Sequence, residues 1–153
     1  VTRVDSRTQP EIILDQGIGD LFVARVAGNF VKGDLLGSLE FATKVSGARI
    51  ILVMGHTKCG AIKGASDDVA LGLLTATLAN LNPAVTAASK GHYSPKDSTN
   101  AKFVQAVADM NVKLTMQKLR DRGLVLRAMI DKGEIALVGA MYDITTGKTT
   151  FYE

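Results

Sequence analysis

A chain of 153 residues with 46% hydrophobic and 22% charged residues is long enough for one buried core and too apolar to be disordered. We therefore expect a single domain over residues 1–153. The 18 basic and 15 acidic residues are scattered and leave a net charge of +3, without the basic cluster that nucleic-acid binding needs. No apolar run is long enough to span a membrane, and a single cysteine excludes an intrachain disulfide.

Apolar periodicity predicts strands that alternate with helices along the chain. The predicted elements are, in order, strand 1–4, short helix 12–14, strand 21–26, helix 34–47, strand 49–54, helices 69–81, 101–122 and 124–131, strand 135–142 and strand 149–152. Asn82-Pro83 is expected to stop a helix, and residues 86–100 to form a surface loop that includes a solvated His92. A turn at Gly147 joins the last two strands into a hairpin. This order predicts the α/β class, with a mostly parallel central sheet, flanking helices and an antiparallel C-terminal edge strand.

Three charged residues near the start of the chain have the spacing of one strand face. Side chains alternate with a period of two in an extended chain, so Arg3, Asp5 and Arg7 would lie side by side if the first strand continues that far.

The stretch 48–65 is predicted to carry the chemistry. An apolar strand stops at Gly55, a helix begins after Gly60, and the intervening residues include His56 and Cys59. Open α/β folds bind ligands where parallel strands end. An imidazole and a thiolate three residues apart suit zinc, although a lone cysteine is more often a small buried hydrophobic residue.

Several motifs in a fixed order identify the chain as similar to the β-class carbonic anhydrases over nearly its whole length. They are DSR at 5–7, PE at 10–11, DQGIGDLFVARVAGN at 15–29, GSLEFA at 37–42, GHTKCGAIKGA at 55–65 and VGAMYDITTGK at 138–148. The matching residues do not include the amino-terminal helical arm that precedes the first strand in that family and wraps a partner subunit.

The resemblance implies reversible hydration of carbon dioxide to bicarbonate by a zinc-bound hydroxide. It assigns His56 and Cys59 as zinc ligands. Asp5 and Arg7 match the family's catalytic pair, in which the arginine holds the aspartate and the aspartate accepts a hydrogen bond from the hydroxide or, in some inactive states, binds the zinc itself. It further implies a homodimer or a higher homo-oligomer. We expect a cytoplasmic protein, with a periplasmic or organellar location left open.

One ligand position departs from the family pattern, because Arg3 stands where the family has its first zinc-binding cysteine. A guanidinium stays protonated and has no lone pair to offer a metal. Its charge repels a divalent cation ~5 Å away by roughly 6 kcal/mol at an effective dielectric constant of ~20, and by less if the side chain swings away.

Three hypotheses follow from this departure. In the first, the protein is a carbonic anhydrase that still binds zinc through His56, Cys59 and Asp5, with weakened or altered activity. In the second, it is a zinc-free pseudoenzyme that binds a small anion such as bicarbonate or serves in assembly, since Arg3 and Arg7 make a metal-free site cationic. In the third, Arg3 is an artefact or an engineered change. The number of zinc ligands favours the second.

Overall fold

The computed structural model describes residues 1–152 and has a three-stranded mixed sheet flanked by helices. The strands are β1 (Ile50–His56), β2 (Ala136–Tyr142) and β3 (Thr149–Tyr152), in the spatial order β1-β2-β3. β1 and β2 are parallel, with Ile50 opposite Ala136 and His56 opposite Tyr142, and β3 is antiparallel to β2. The predicted α/β class and antiparallel C-terminal edge strand are confirmed.

Seven α-helices are found in the described residues. They are α1 (Pro10–Ile13), α2 (Gly33–Glu40), α3 (Gly60–Ser66), α4 (Gly72–Leu78), α5 (Asn82–Ala88), α6 (Ala101–Arg122) and α7 (Leu124–Asp131). A π-helical turn over Phe41–Val45 extends α2, and a 3₁₀ turn over Ala79–Leu81 joins α4 to α5. None of the helices within residues 1–152 is both long and apolar enough to cross a membrane.

The longest helix, α6, has the bounds that its sequence pattern predicts. It begins where the side chain of Asn100 accepts hydrogen bonds from the backbone N–H groups of Lys102 and Phe103, and it ends at Gly123. Arg120 and Arg122 in its last turn complement the negative end of the helix dipole. The buried face of α6 packs against β1 and β2.

Two predicted strands at the start of the chain were wrong in extent. Over residues 1–4 and 21–26 the structure has a single parallel bridge, between Thr2 and Arg25. The apolar run at 21–23 does not enter the sheet, since Phe22 and Val23 are exposed. Val1 lies instead along β1, where its carbonyl accepts from the backbone N–H of Met54.

Two other boundaries also differ from prediction. Pro83 does not end the helical region but lies in the first turn of α5, where a missing N–H costs no helical hydrogen bond, so part of the predicted loop 86–100 is helical. Gly55 does not stop the central strand, because β1 continues through it to His56 in register with β2.

Glycines in the sheet allow α6 to approach closely. A Cβ atom at Gly139 would lie 2.6 Å from Met116 Sδ and 2.8 Å from Tyr152 Cδ2, and one at Gly55 would lie 2.8 Å from Val112 Cγ2. Any side chain at either position would push α6 or its packed neighbours away from the sheet.

We therefore expect Gly139→Ala to lower the free energy of unfolding by about 1–3 kcal/mol in a urea titration, which is the usual cost of overpacking a core. The matched control is Gly37→Ala on α2, where an added Cβ meets no atom within 4 Å. That change should raise the free energy of unfolding by roughly 0.8 kcal/mol, because alanine favours the helix. An unchanged stability in Gly139→Ala would contradict this account of the helix–sheet packing.

Candidate functional site

The carboxyl end of β1 places two of the candidate residues next to each other. His56 is the last residue of β1, and a turn through Thr57 and Lys58 leads to Cys59, which directly precedes α3. Lys58 adopts a left-handed conformation with φ of 53°. The turn is held by the backbone N–H of Thr57, which donates to the carbonyl of Tyr142 over 2.9 Å. Both His56 and Cys59 are buried.

The imidazole of His56 has one nitrogen engaged and one free. Its Nδ1 lies 2.8 Å from the carbonyl oxygen of Thr57 and donates to it, since a carbonyl only accepts. Nε2 is buried without a hydrogen-bond partner among residues 1–152. The nearest carboxylate oxygen to it is Oδ2 of Asp5, at 3.6 Å.

Asp5 and Arg7 form a bidentate ion pair. Arg7 donates from Nε to Oδ1 over 2.8 Å and from Nη2 to Oδ2 over 2.6 Å, and its backbone N–H also donates to Oδ1. These hydrogen bonds hold the pKa of the Asp5 carboxyl well below its usual range. The carboxylate therefore stays ionised and is neutralised by its own neighbour.

The three charged residues do not share one strand face, so that expectation was wrong. The chain turns at Ser6 and Arg7, where the backbone N–H of Thr8 donates to the carbonyl of Asp5. Arg7 therefore folds back onto Asp5 and remains half exposed, whereas Arg3 is only 1% exposed.

Arg3 is a buried cation with incomplete hydrogen bonding. Its Nε donates to Oδ1 of Asn29 over 2.8 Å, but neither Nη1 nor Nη2 has a partner among the described residues. Burial lowers the pKa of Arg3, but a guanidinium remains protonated in proteins. The cation therefore sits beside the imidazole and the thiol, and the ionised form of Cys59 would favour its charge.

His56 and Arg3 change the pKa of the Cys59 thiol. Burial raises its pKa, but the adjacent imidazole of His56 and the positive charge of Arg3 more than offset that effect. The net result is a pKa of about 7 for Cys59, below the ordinary value for a thiol.

Sequence reasoning missed the residues that hold Arg3 in place. Asn29, with φ of 45°, receives a hydrogen bond from Nδ2 of Asn111 on its Oδ1 over 3.0 Å, and its carbonyl accepts from Oγ1 of Thr115 over 3.2 Å. Asn111 and Thr115 are polar residues four apart on the buried face of α6. That spacing within an otherwise apolar stripe was the available signal.

Arg25 was also missed, and it fixes the backbone of residues 3–8. Its guanidinium donates to the carbonyl oxygens of Arg3, Asp5 and Thr8 and to Oε1 of Gln9. Arg25 lies within the ARVAGN part of a motif that the resemblance had marked, which was its only signal in the sequence.

The side chains present do not suit a zinc ion. Zinc sites in proteins have at least three protein ligands, and within residues 1–152 no three His, Cys, Asp or Glu side chains are grouped so as to hold a metal. His56 and Cys59 supply two donors, Asp5 is bound by Arg7, and the next side chain is the cation of Arg3. His92 is exposed in the loop before α6 and belongs to no such group among residues 1–152.

Comparisons with known proteins agree on one family. Residues 1–149 match the family model described as carbonic anhydrase. The chain is 31% identical to the carbonic anhydrase of Mycolicibacterium smegmatis over 149 residues, which cover 94% of this chain and 68% of that protein. It is 33% identical to the carbonic anhydrase of Pseudomonas aeruginosa over 150 residues, covering 94% and 67%.

Solved structures of β-carbonic anhydrases have the same fold as this chain. The β-carbonic anhydrase CafA of Aspergillus fumigatus superimposes with a TM-score of 0.84 at 27% identity, over 100% of this chain and 73% of that one. The β-carbonic anhydrase CcaA has a TM-score of 0.88 at 24% identity, over 100% and 77%. One of two tetrameric β-carbonic anhydrases of Sordaria macrospora has a TM-score of 0.83 at 24% identity, over 99% and 77%.

The buried Arg3 and the partly buried Arg25 allow a paired test of how well the Arg3 cation is hydrogen-bonded. Arg3→Met, which keeps the apolar stem and removes the charge, should leave the free energy of unfolding unchanged or raise it by about 1–4 kcal/mol. Arg25→Met breaks four hydrogen bonds and should lower it by about 1.5–3 kcal/mol or more. Urea unfolding at pH 6, below the pKa of about 7 for Cys59, is the measurement. Equal losses in both variants would show that the Arg3 guanidinium is well paired.

Proposed function

Because the chain belongs to the β-class carbonic anhydrase family, we propose that it is a zinc-free member whose site binds a small anion and does not hydrate carbon dioxide through zinc-bound hydroxide. The family reaction is the reversible hydration of carbon dioxide to bicarbonate. The observation that carries the proposal is the buried guanidinium of Arg3 beside His56 and Cys59.

The position of Arg3 argues against the zinc-binding hypothesis. The bond from its Nε to Asn29 and the enclosure of its side chain favour the buried position over one turned away into solvent. A divalent ion between His56 and Cys59 would have to share that buried space with a fixed positive charge, and charge repulsion is screened least in a protein interior.

The remaining donors support the same conclusion. A zinc site made of His56, Cys59 and Asp5 would require Asp5 to leave the two side-chain hydrogen bonds from Arg7. It would also consume the carboxylate that family chemistry needs for catalysis. We propose that Asp5 and Arg7 retain the geometry of the catalytic pair and would act in catalysis only if a third zinc ligand were restored.

We expect purified protein to contain essentially no zinc and Arg3→Cys to bind about one zinc per chain, measured by elemental analysis after dialysis against trace zinc. Arg3→Cys should also gain carbon dioxide hydration, and adding Asp5→Asn should remove most of that gain. Arg3→Ser is the matched control, since it removes the charge without supplying a thiolate, and it should stay zinc-free. About one zinc per chain in the unaltered protein would contradict the proposal.

We further propose that the protein forms a homodimer through an apolar face at the edge of β1. This apolar face consists of Phe22, Val23, Phe41 and Ile50, which are 40–64% exposed. Phe22 and Val23 line two adjacent depressions, one of which also includes Ile50 and the other Phe41. A large contiguous apolar patch on a soluble protein is typical of an interface. The tetrameric assembly of the Sordaria macrospora proteins supports assembly in this fold.

Ile50→Lys combined with Phe22→Lys should convert the dimer to a monomer, because two charges would be buried in the contact. Light scattering coupled to size-exclusion chromatography gives the mass directly. Leu124→Lys is the control, since Leu124 lies on α7 outside the apolar face and is equally exposed at 65%. A monomer before any substitution, or a dimer that survives the double substitution, would refute this interface.

A further inference from the structure

The cavity beside Arg3 is divided into a charged end and an apolar wall. It has a volume of about 420 Å³, and its charged end is lined by Arg3 and Asp5, with His56 and Cys59 beside them. The rest of the lining is mainly aliphatic and includes Val69, Leu74 and Leu78, which we call the aliphatic wall. A cavity of this size, lined mainly by apolar groups with a few convergent polar ones, is typical of a site for a small organic molecule.

The charged end lacks the partners that its polar atoms need. Arg3 Nη1 and Nη2 and His56 Nε2 are all buried without a hydrogen-bond partner among residues 1–152. Buried polar groups in folded proteins are almost always satisfied, so the two terminal nitrogens of Arg3, which can only donate, indicate a missing acceptor. The terminal N–H groups of a guanidinium match the two oxygens of a carboxylate in a bidentate pair.

The surrounding charges permit an anion there. The carboxylate of Asp5 is already neutralised by two side-chain hydrogen bonds from Arg7. Arg3 makes one side-chain hydrogen bond, to the neutral amide of Asn29, and has no carboxylate partner in the described part of the chain. While the Cys59 thiol beside Arg3 is neutral, a monoanion would therefore complete the charge pairing of this end.

The size and polarity of the rest of the cavity exclude a good fit for bicarbonate alone. Four heavy atoms occupy roughly the volume of two or three water molecules, each about 30 Å³, and would leave the aliphatic wall uncovered. An apolar body joined to the carboxylate would cover that wall and gain hydrophobic binding energy.

From these observations we infer that the Arg3 cavity binds an amphipathic monocarboxylate, with its carboxylate on Arg3 and its hydrocarbon or aromatic body against α4. This inference rests on the proposed function, since it requires the place beside His56 and Cys59 to be free of zinc. It names the class of anion that the proposed function leaves general.

The test uses four small molecules on the unaltered protein. Isothermal titration calorimetry with sodium benzoate, acetate, bicarbonate and benzyl alcohol separates the contribution of the charge from that of the apolar body. Benzoate should bind at least about tenfold more tightly than acetate or bicarbonate, since its ring covers the aliphatic wall. Benzyl alcohol, which has the ring without the charge, should show no measurable binding.

Two variants locate the binding. Arg3→Met should weaken benzoate binding at least about tenfold, because the ion pair is lost. Gly60→Leu should also weaken it, since Gly60 lines the cavity and a Cβ there meets no atom within 4 Å. Gly33→Leu is the matched control, because Gly33 is likewise the first residue of a helix with open space around it and lies outside the cavity. It should bind benzoate as the unaltered protein does.

The outcomes separate this inference from the proposed function. Two results on zinc-free protein would overturn the inference and leave the zinc-free assignment standing. In the first, the unaltered protein binds benzoate no more tightly than bicarbonate. In the second, the Arg3→Met variant binds benzoate as tightly as the unaltered protein does. Zinc in the same sample, measured by elemental analysis, overturns the proposed function and the inference with it. A tenfold preference for benzoate that is lost in Arg3→Met and Gly60→Leu but kept in Gly33→Leu supports both.

Discussion

The arrangement of the site depends on one buried positive charge and the hydrogen bonds that orient it. Arg3 is enclosed beside His56 and Cys59, and its Nε is held by Asn29. Burying a guanidinium lowers the free energy of unfolding unless the charge is paired, so the contacts of Arg3 affect the stability of the whole site. Its charge lowers the pKa of Cys59, and it lies beside the two side chains that the resemblance to carbonic anhydrases assigns to zinc.

The support for that charge comes from parts of the chain far apart in sequence. Asn29 is held by Asn111 and Thr115 of α6, more than eighty residues further on. α6 in turn packs closely on the sheet because Gly55 and Gly139 leave no side chain in its way. The sheet packing and the orientation of Arg3 are therefore coupled through a single helix.

Some features were predictable because they depend on local pattern. The bounds of α6 and α7 follow from apolar periodicity and from Asn100 and Gly123, and both were predicted correctly. The strands predicted over 1–4 and 21–26 were wrong in extent, because an apolar run such as Leu21–Val23 looks the same whether it enters a sheet or lies on an exposed face. The continuation of β1 to His56 depended on pairing with β2, eighty residues away.

The sequence by itself determined the α/β class, the family and the identity of the unusual residue, because each is carried by periodicity or by residue type at a fixed position. A guanidinium has no lone pair in any conformation, so it was evident from the sequence that residue 3 cannot supply the zinc ligand that the resemblance expects there. Only the tertiary structure decided that Arg3 is buried, that Asp5 pairs with Arg7 across a turn, and that Arg3 and several aliphatic side chains line one cavity. These facts arise from contacts between distant segments, which local pattern does not encode.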